Sequence, residues 1–175
     1  MEPPRFQRGY KNHLELIDAG GLPSEKTAVR RLYFAYGSNM EPGPMAERCP
    51  HAQPLGRARL DQRSFRINER GYATVVPDPN GTVHGVLWSL TPNDEASLDD
   101  YEGMSEGLYL KDQVLVTLDS GVTTEALVYL ARHTRPGRPL PGYLEGILEA
   151  ARTWQLPEAY RIELEGWSGP LLPGT

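Results

Sequence analysis

The sequence holds very little cysteine, and this shortage excludes two common kinds of scaffold. Its one cysteine, Cys49, has no partner for an internal disulfide and no second cysteine nearby to form a zinc pair. We therefore expect Cys49 to be a buried or half-buried thiol without a chemical role.

Basic charge is also in short supply. The formal net charge is -5 at pH 7, and the arginines are scattered along the chain. Because phosphate binding needs a basic face, this balance argues against nucleic acid as a partner.

Long hydrophobic runs are absent as well. A membrane-spanning helix needs about 18 consecutive apolar residues, and no stretch of the sequence approaches that length. The first residues also lack the apolar segment of a signal peptide. We therefore expect a soluble, cytoplasmic protein that has no membrane partner.

The histidines do not form a metal site in the sequence. His13, His51, His84 and His133 are isolated, with no pair at helical spacing and no clustered carboxylates beside them. Zinc and similar ions need several such ligands together, so the sequence predicts neither a metal nor a cofactor.

What is present is enough for one folded domain. With 175 residues and 39% hydrophobic residues, the chain can bury a proper core. Residues 1–29 are polar and interrupted by Pro and Gly pairs, so they are predicted to form a flexible N-terminal arm that buries little apolar surface. The single domain is then expected to span residues 30–170.

Short strands separated by turn signals dominate this domain. β-Branched and aromatic residues in partial alternation predict strands at 32–36, 55–60, 63–68, 72–76, 82–90, 108–118 and 122–131. Asn80-Gly81 and Ser120-Gly121 are dipeptides typical of hairpin turns, and the second joins the last two predicted strands.

Two helices complete the predicted fold. Thr91 is a suitable N-cap, Pro92 fits the first turn, and acidic residues follow, so a helix should run to about Tyr101 and end at Gly103. A second helix, about 141–154, has one apolar stripe that can pack on the sheet. The predicted class is α+β: a small mixed β-barrel or strongly curved sheet with a few flanking helices.

Gly37-Ser38-Asn39 abruptly ends the apolar strand 32–36. Glycine lets another group approach the backbone closely, and successive N–H groups at a strand end can hold an anion. An ordinary turn is the simpler interpretation of the triplet alone. A phosphate loop is excluded, because no lysine or further glycine follows at the required spacing.

The acidic stretch "SLDDYEGMSEGLY" contains one carboxylate in an unusual place. Most of its acids fit a solvated helix face, but Glu102 falls at the C-terminal end of the predicted helix, beside Gly103. The partial negative charge of a helix end disfavours a carboxylate, which raises its pKa and makes it a better base near neutral pH.

Together, "LYFAYGSNM" and "LDDYEGMSEGLY" resemble the gamma-glutamylcyclotransferase family, as do "GVLWSLT" and "PLPGYLEGILEAARTWQLPEAYR". The resemblance covers about residues 31–165. It implies a small barrel whose cavity holds a γ-glutamyl group, with the family's catalytic glutamate falling on Glu102. The implied substrate-binding positions are Tyr36, Gly37, Ser38, Asn39, Tyr109, Tyr129 and Tyr143.

The reaction implied by the resemblance is an intramolecular cyclisation. The α-amine of a γ-glutamyl compound attacks its own γ-carbonyl, releasing 5-oxoproline and a free amine without metal or cofactor. Three other functions stay open. The protein could remove a γ-glutamyl protecting group from a specialised metabolite, it could be a non-catalytic barrel that binds a small acid, or it could be a serine hydrolase that uses Ser38. The sequence leaves the leaving amine and the oligomeric state open, a homodimer included.

Overall fold

Five strands close into a barrel in the computed structural model, which describes residues 29–169. The strands are β1 (Arg31–Ala35), β2 (Gln53–Ile67), β3 (Ala73–Leu90), β4 (Tyr109–Leu118) and β5 (Thr123–Ala131). Around the barrel they follow the order β1-β3-β2-β4-β5. Neighbours are antiparallel except β1 and β5, which meet in parallel at Tyr33 and Leu127. The predicted arm lies almost wholly outside the described residues.

Four α-helices flank the barrel. They are α1 (Pro42–Arg48), α2 (Pro92–Tyr101), α3 (Tyr143–Thr153) and α4 (Glu158–Glu165), with short 3-10 turns at Ser38–Met40 and Gly166–Ser168. Within residues 29–169, none of the helices is long and apolar enough to cross a membrane. The α+β class and the small barrel with flanking helices are confirmed.

The strands in the middle of the chain are longer than predicted. Segments 55–60 and 63–68 are joined in β2, and segments 72–76 and 82–90 are joined in β3. Each pair of predicted strands is continuous because the backbone accommodates extra residues without reversing direction.

The hairpin predicted at Asn80-Gly81 is therefore wrong. Asp61 pairs with Thr82 and Arg63 with Pro77, which leaves residues 78–81 of β3 opposite the single residue Gln62 of β2. Within this bulge the Asp78 carboxylate accepts hydrogen bonds from the Ser64 hydroxyl and the Asn80 N–H. Residues with turn chemistry thus form a bulge inside a strand here.

The hairpin predicted at Ser120-Gly121 is confirmed. Thr117 of β4 pairs with Thr123 of β5, and the Leu118 N–H donates to the Val122 carbonyl at 2.9 Å across the turn. This hairpin forms one side of the barrel.

The start and end of α2 are as the sequence predicts. The Thr91 hydroxyl accepts from the Asp94 N–H at 3.2 Å, and the Asp94 carboxylate accepts from the Thr91 N–H at 2.9 Å. This reciprocal cap satisfies N–H groups that the helix itself cannot. At the other end Gly103 has a φ of 62°, a left-handed conformation that glycine adopts at little cost. Helix α2 thereby ends with Glu102 as its C-cap residue.

The core joins the barrel to its helices. Phe34 and Val86 are fully buried inside it, and the Trp88 and Trp154 rings meet edge to face at 6.1 Å. The Trp154 indole N–H donates to the Met40 carbonyl at 2.7 Å, which fastens the end of α3 to the turn after β1. Cys49 is buried, as expected, and its thiol donates to a backbone carbonyl.

A methyl group at Gly85 should weaken the barrel. An added Cβ would overlap the Ala35 carbonyl oxygen and lie 2.9 Å from ring atoms of Phe34, so Gly85→Ala should lower the free energy of unfolding by about 1–3 kcal/mol. Gly43→Ala is the matched control, because nothing lies within 4 Å of its added Cβ. Urea denaturation of both variants checks this; equal stabilities would show that β1 and β3 can separate without loss.

Candidate active site

The two unusual stretches of the sequence meet at one hydrogen bond. The Asn39 side-chain amide, in the turn after β1, donates to Oε1 of Glu102 at 2.8 Å, across 63 residues of sequence. The Asn39 side chain is buried, with 3% exposed. A loop and a helix end that are remote in sequence therefore share one site.

A cavity of about 260 Å³ opens beside this contact. This volume is slightly below the roughly 300–1,000 Å³ of small-molecule sites, which suits a ligand of amino-acid or dipeptide size. All eight residues singled out by the sequence line it: Tyr36, Gly37, Ser38, Asn39, Glu102, Tyr109, Tyr129 and Tyr143.

Glu102 has the protonation behaviour of a base for neutral pH. Burial raises the pKa of its carboxyl group to about 7, against the opposing effects of the Asn39 hydrogen bond and the Arg48 charge. The direction agrees with the sequence-based expectation, but the main cause is removal from water and not the helix end. Such a carboxylate can accept a proton from a ligand and return it.

The Asn39 amide is fully used by its surroundings. It donates to the Tyr33 hydroxyl at 3.0 Å as well as to Glu102, and its oxygen accepts from the Arg48 guanidinium at 2.8 Å. With both donors and its acceptor engaged, the amide holds Glu102 in one orientation.

Three of the predicted tyrosines direct their hydroxyl protons into the protein. Tyr36 donates to the Tyr129 carbonyl at 2.5 Å, Tyr109 to the Ala73 carbonyl at 3.0 Å, and Tyr129 to the Asp99 carboxylate at 2.6 Å. These phenols line the cavity with hydroxyl groups that already have acceptors.

Tyr143 differs from those three. Its hydroxyl oxygen accepts from the Ala73 N–H at 3.2 Å, so its own proton remains to be donated. Burial raises the pKa of Tyr143 above its ordinary value, which keeps the phenol neutral and able to donate. It is the best placed of the predicted tyrosines to stabilise negative charge in the cavity.

The turn after β1 presents backbone to the cavity. Gly37 has a φ of -121°, so left-handed geometry is not what selects it. Limited space favours glycine here, because an added Cβ would lie 3.3 Å from the Ala73 Cβ and 3.5 Å from the Tyr143 hydroxyl. Ser38 and Asn39 begin the 3-10 turn, and the first N–H groups of a helical turn have no acceptor within it.

Ser38 lacks the neighbour that a nucleophilic serine needs. Its hydroxyl lies 3.5 Å from the Tyr101 hydroxyl, which is a phenol and not a basic imidazole. A Ser-His pair of the kind that activates a nucleophile is therefore not formed at this position.

Several lining residues went unnoticed in the sequence. Tyr33, in the strand that leads into the turn, is one of them. The others include Asn68, Arg70 and Tyr72 between β2 and β3, Tyr101 at the end of α2, and His133 after β5. Most of these lie just outside an element, a position that many surface residues share.

Metal ligands are not grouped in the part of the chain that the structure describes. Among residues 29–169, no three His, Cys, Asp or Glu side chains are placed to hold an ion. The polar groups that do line the cavity include Glu102 and the phenols.

Comparisons with known proteins identify the family of the chain. The family model described as "Gamma-glutamyl cyclotransferase, AIG2-like" matches residues 33–150. Gamma-glutamylcyclotransferase of Mus musculus is 31% identical over 144 residues, and that of Homo sapiens is 30% identical over 146 residues. Each alignment covers 77% of this chain and 77% of the relative.

A solved structure titled "Gamma-glutamyl cyclotransferase" has the same fold. It superposes with a TM-score of 0.75 at 28% identity, covering 84% of this chain and 93% of the other. The residues matched by the family model, 33–150, include the turn after β1, all of α2 and Glu102. The chain belongs to the gamma-glutamyl cyclotransferase, AIG2-like family.

Proposed function

We propose that the protein is a γ-glutamyl cyclotransferase, which converts a small γ-glutamyl compound into 5-oxoproline and a free amine. The observation that carries the proposal is Glu102, a half-buried residue whose carboxyl group has a pKa raised to about 7 by removal from water and which lines a cavity of substrate size. A buried acid of this kind is costly to the fold unless it has a task.

The substrate is held by its α-carboxylate at the turn after β1. The N–H groups of Ser38 and Asn39 are the donors for that anion, because a bound carboxylate supplies the acceptors that the turn lacks. Gly37 keeps the backbone accessible. With this end fixed, the γ-glutamyl chain folds so that its α-amine approaches its own γ-carbonyl.

That folded geometry is a large part of the catalysis. Nucleophile and electrophile belong to one molecule, so holding one rotamer makes the attack effectively unimolecular and supplies several kcal/mol of the barrier. The walls that select this rotamer are the rings of Tyr36, Tyr109 and Tyr129, which their hydroxyl contacts hold in place.

Glu102 moves the protons. The α-ammonium group gives one proton to the carboxylate, and the free amine then attacks the γ-carbon, forming the ring C–N bond. As the tetrahedral intermediate collapses, the bond to the leaving nitrogen breaks. The proton on Glu102 and the remaining extra proton of the ring nitrogen pass to that leaving nitrogen, so the amine departs protonated and Glu102 is a carboxylate again.

Negative charge on the carbonyl oxygen is stabilised by Tyr143. Its phenol is neutral and retains a proton to donate, while the Ala73 N–H bonded to its oxygen fixes its direction. Donors fixed before the reaction stabilise an oxyanion without reorganising when it forms.

Glu102→Gln should lower turnover strongly, while Ser38→Ala should lower it only in part. Glutamine keeps the size of the side chain but cannot take the proton, so release of 5-oxoproline should fall at least about 10²-fold. Ser38→Ala keeps the main-chain donors and should mainly raise KM. A panel of γ-glutamyl amino acids and γ-glutamyl amines, with 5-oxoproline followed by mass spectrometry, provides the assay.

An N-acetylated substrate is the chemical control for that assay. Acetylation removes the nucleophile, so no amine should be released; normal release would mean hydrolysis and would end the cyclotransferase proposal. An inert Ser38→Ala beside an active Glu102→Gln would instead favour a serine hydrolase. If no γ-glutamyl compound is turned over, a small-acid-binding barrel becomes the better account.

Glu102→Gln should also stabilise the protein, but only at higher pH. Between the ordinary pKa of 4.5 and the folded-state pKa of about 7, the folded state keeps a proton that the unfolded state releases. Stability therefore falls as pH rises through this interval. Above this interval, the free energy of unfolding of Glu102→Gln should exceed that of the unaltered protein by on the order of 1–3 kcal/mol. At the acidic end of the interval the two proteins should differ little.

Urea denaturation at about pH 5 and about pH 8 measures this difference. Glu106→Gln, at an exposed acid in the same loop, is the control and should show no comparable change between the two pH values. An equal effect of Glu102→Gln at both would contradict the buried, proton-holding state of the carboxyl.

Tyr143→Phe should lower kcat with little effect on KM. Loss of one donor to an oxyanion typically costs about 10²-fold. Tyr129→Phe removes a hydroxyl already bonded to Asp99, so it should chiefly lower stability, by about 1 kcal/mol. Steady-state kinetics on both variants checks this, and equal losses in kcat would remove Tyr143 from the mechanism.

A further inference from the structure

Arg48 lies behind the cavity wall and is not one of its lining residues. It is the last residue of α1, and its guanidinium carbon lies 3.8 Å from the ring centroid of Tyr101, the last residue of α2. Its Nη1 donates to the Asn39 oxygen at 2.8 Å. Arg48 is thus anchored by a stacked ring on one side and an amide on the other.

The arginine determines which way the Asn39 amide faces. Guanidinium groups only donate hydrogen bonds, so the atom of Asn39 that meets Arg48 has to be its oxygen. The NH₂ group is then directed at Tyr33 and Glu102. In the opposite orientation the amide oxygen would face the Glu102 carboxylate and the NH₂ would face a cation, so both contacts would be lost.

The same arrangement leaves one oxygen of Glu102 free. Oε1 accepts from Asn39, which makes Oε2 the oxygen available to a ligand proton. The positive charge reaches Glu102 through the interposed amide. A direct ion pair would hold the pKa of the carboxyl low and weaken it as a base, whereas burial raises the pKa of Glu102 and the Arg48 charge only moderates it.

We propose that Arg48 is a positioning residue for the cyclisation: by fixing the Asn39 amide, it holds Glu102 with one defined oxygen turned toward the substrate. This rests on the proposed function. It goes further by giving a residue outside the cavity a part in the reaction, and it gives the stacking of Arg48 on Tyr101 a purpose.

Arg70 and His133 line the same cavity and are unchanged in every variant compared, so they do not distinguish Arg48→Met from the unaltered protein. The other ionisable groups facing Glu102 do not interfere with a test by pH. They are tyrosines: Tyr33 and Tyr36 from β1 and its following turn, Tyr109 from β4, and Tyr143 from α3. The pKa of each is raised by burial, so each stays neutral over the range in which Glu102 titrates. Arg48 from α1 is the remaining charged group that acts on the carboxyl.

The first measurement is the pH profile of kcat/KM for Arg48→Met. Loss of the charge should move the acidic limb upward by on the order of one pH unit. Loss of the amide lock should lower the kcat plateau by about tenfold or more, with KM little changed. Arg48→Lys keeps a donor-only cation and should restore the position of the limb.

Arg31→Met is the matched control. Arg31 also contacts α2, through Glu95 at 3.1 Å, but has no hydrogen-bonded route to Glu102. Its profile should coincide with that of the unaltered protein. If Arg48→Met merely reduced activity equally at all pH values, the residue would be structural and the proposal would fall.

A double-mutant cycle tests the route through Asn39. In an Asn39→Leu background the lock is already absent, so Arg48→Met should no longer lower the plateau, although it should still move the limb. A full additional loss of the plateau would mean that Arg48 acts by another path, and the proposal would be wrong.

A measurement without turnover separates this proposal from the proposed function. The Glu102 carboxyl carbon can be followed against pH by ¹³C NMR, with its signal assigned by its disappearance in Glu102→Gln. An upward shift of its titration in Arg48→Met supports the link even if no γ-glutamyl compound reacts, in which case the function alone fails. If γ-glutamyl compounds are turned over but Arg48→Met changes neither the Glu102 titration nor the kcat plateau, the proposed function stands and the role of Arg48 is wrong.

Discussion

The structure depends on keeping one carboxylate away from water without neutralising it. Glu102 is held by the Asn39 amide, not by a direct positive charge, so its pKa stays near neutrality. This requirement accounts for three neighbouring features. Helix α2 is capped so that it ends at Glu102, and strand β1 is followed by a turn of small residues. Helix α1 supplies Arg48, whose charge reaches Glu102 through the Asn39 amide.

The cavity wall is built from phenols that donate hydrogen bonds to the protein around them. Tyr129 illustrates the pattern, because its hydroxyl meets Asp99, which also accepts from Lys111 at 2.8 Å. Each such contact satisfies a buried polar atom and restrains a ring. The cavity consequently has a shape fixed before any ligand enters.

Local rules account for what the sequence predicted well. The Thr91 cap and the Gly103 stop require only neighbouring residues, and they place Glu102 without knowledge of the fold. The hairpin predicted at Asn80-Gly81 is wrong because the same turn residues fit a bulge when β2 and β3 pair on both sides of it. Arg48 gave no signal, since its contacts with Asn39 and Tyr101 exist only after α1 and α2 have packed. The family resemblance supplied the roles that spacing alone left open.

Barrel closure between β1 and β5 also governs when the cavity can first form during synthesis. Its parallel contact, Tyr33 with Leu127, joins the first strand of the described chain to the last, and such non-local pairing is slow to form. Until β5 leaves the ribosome, β1 has one open edge and the cavity lacks Tyr129 and Ala131. Glu102 is synthesised well before that point, so the site is completed by its framework and not by this carboxylate.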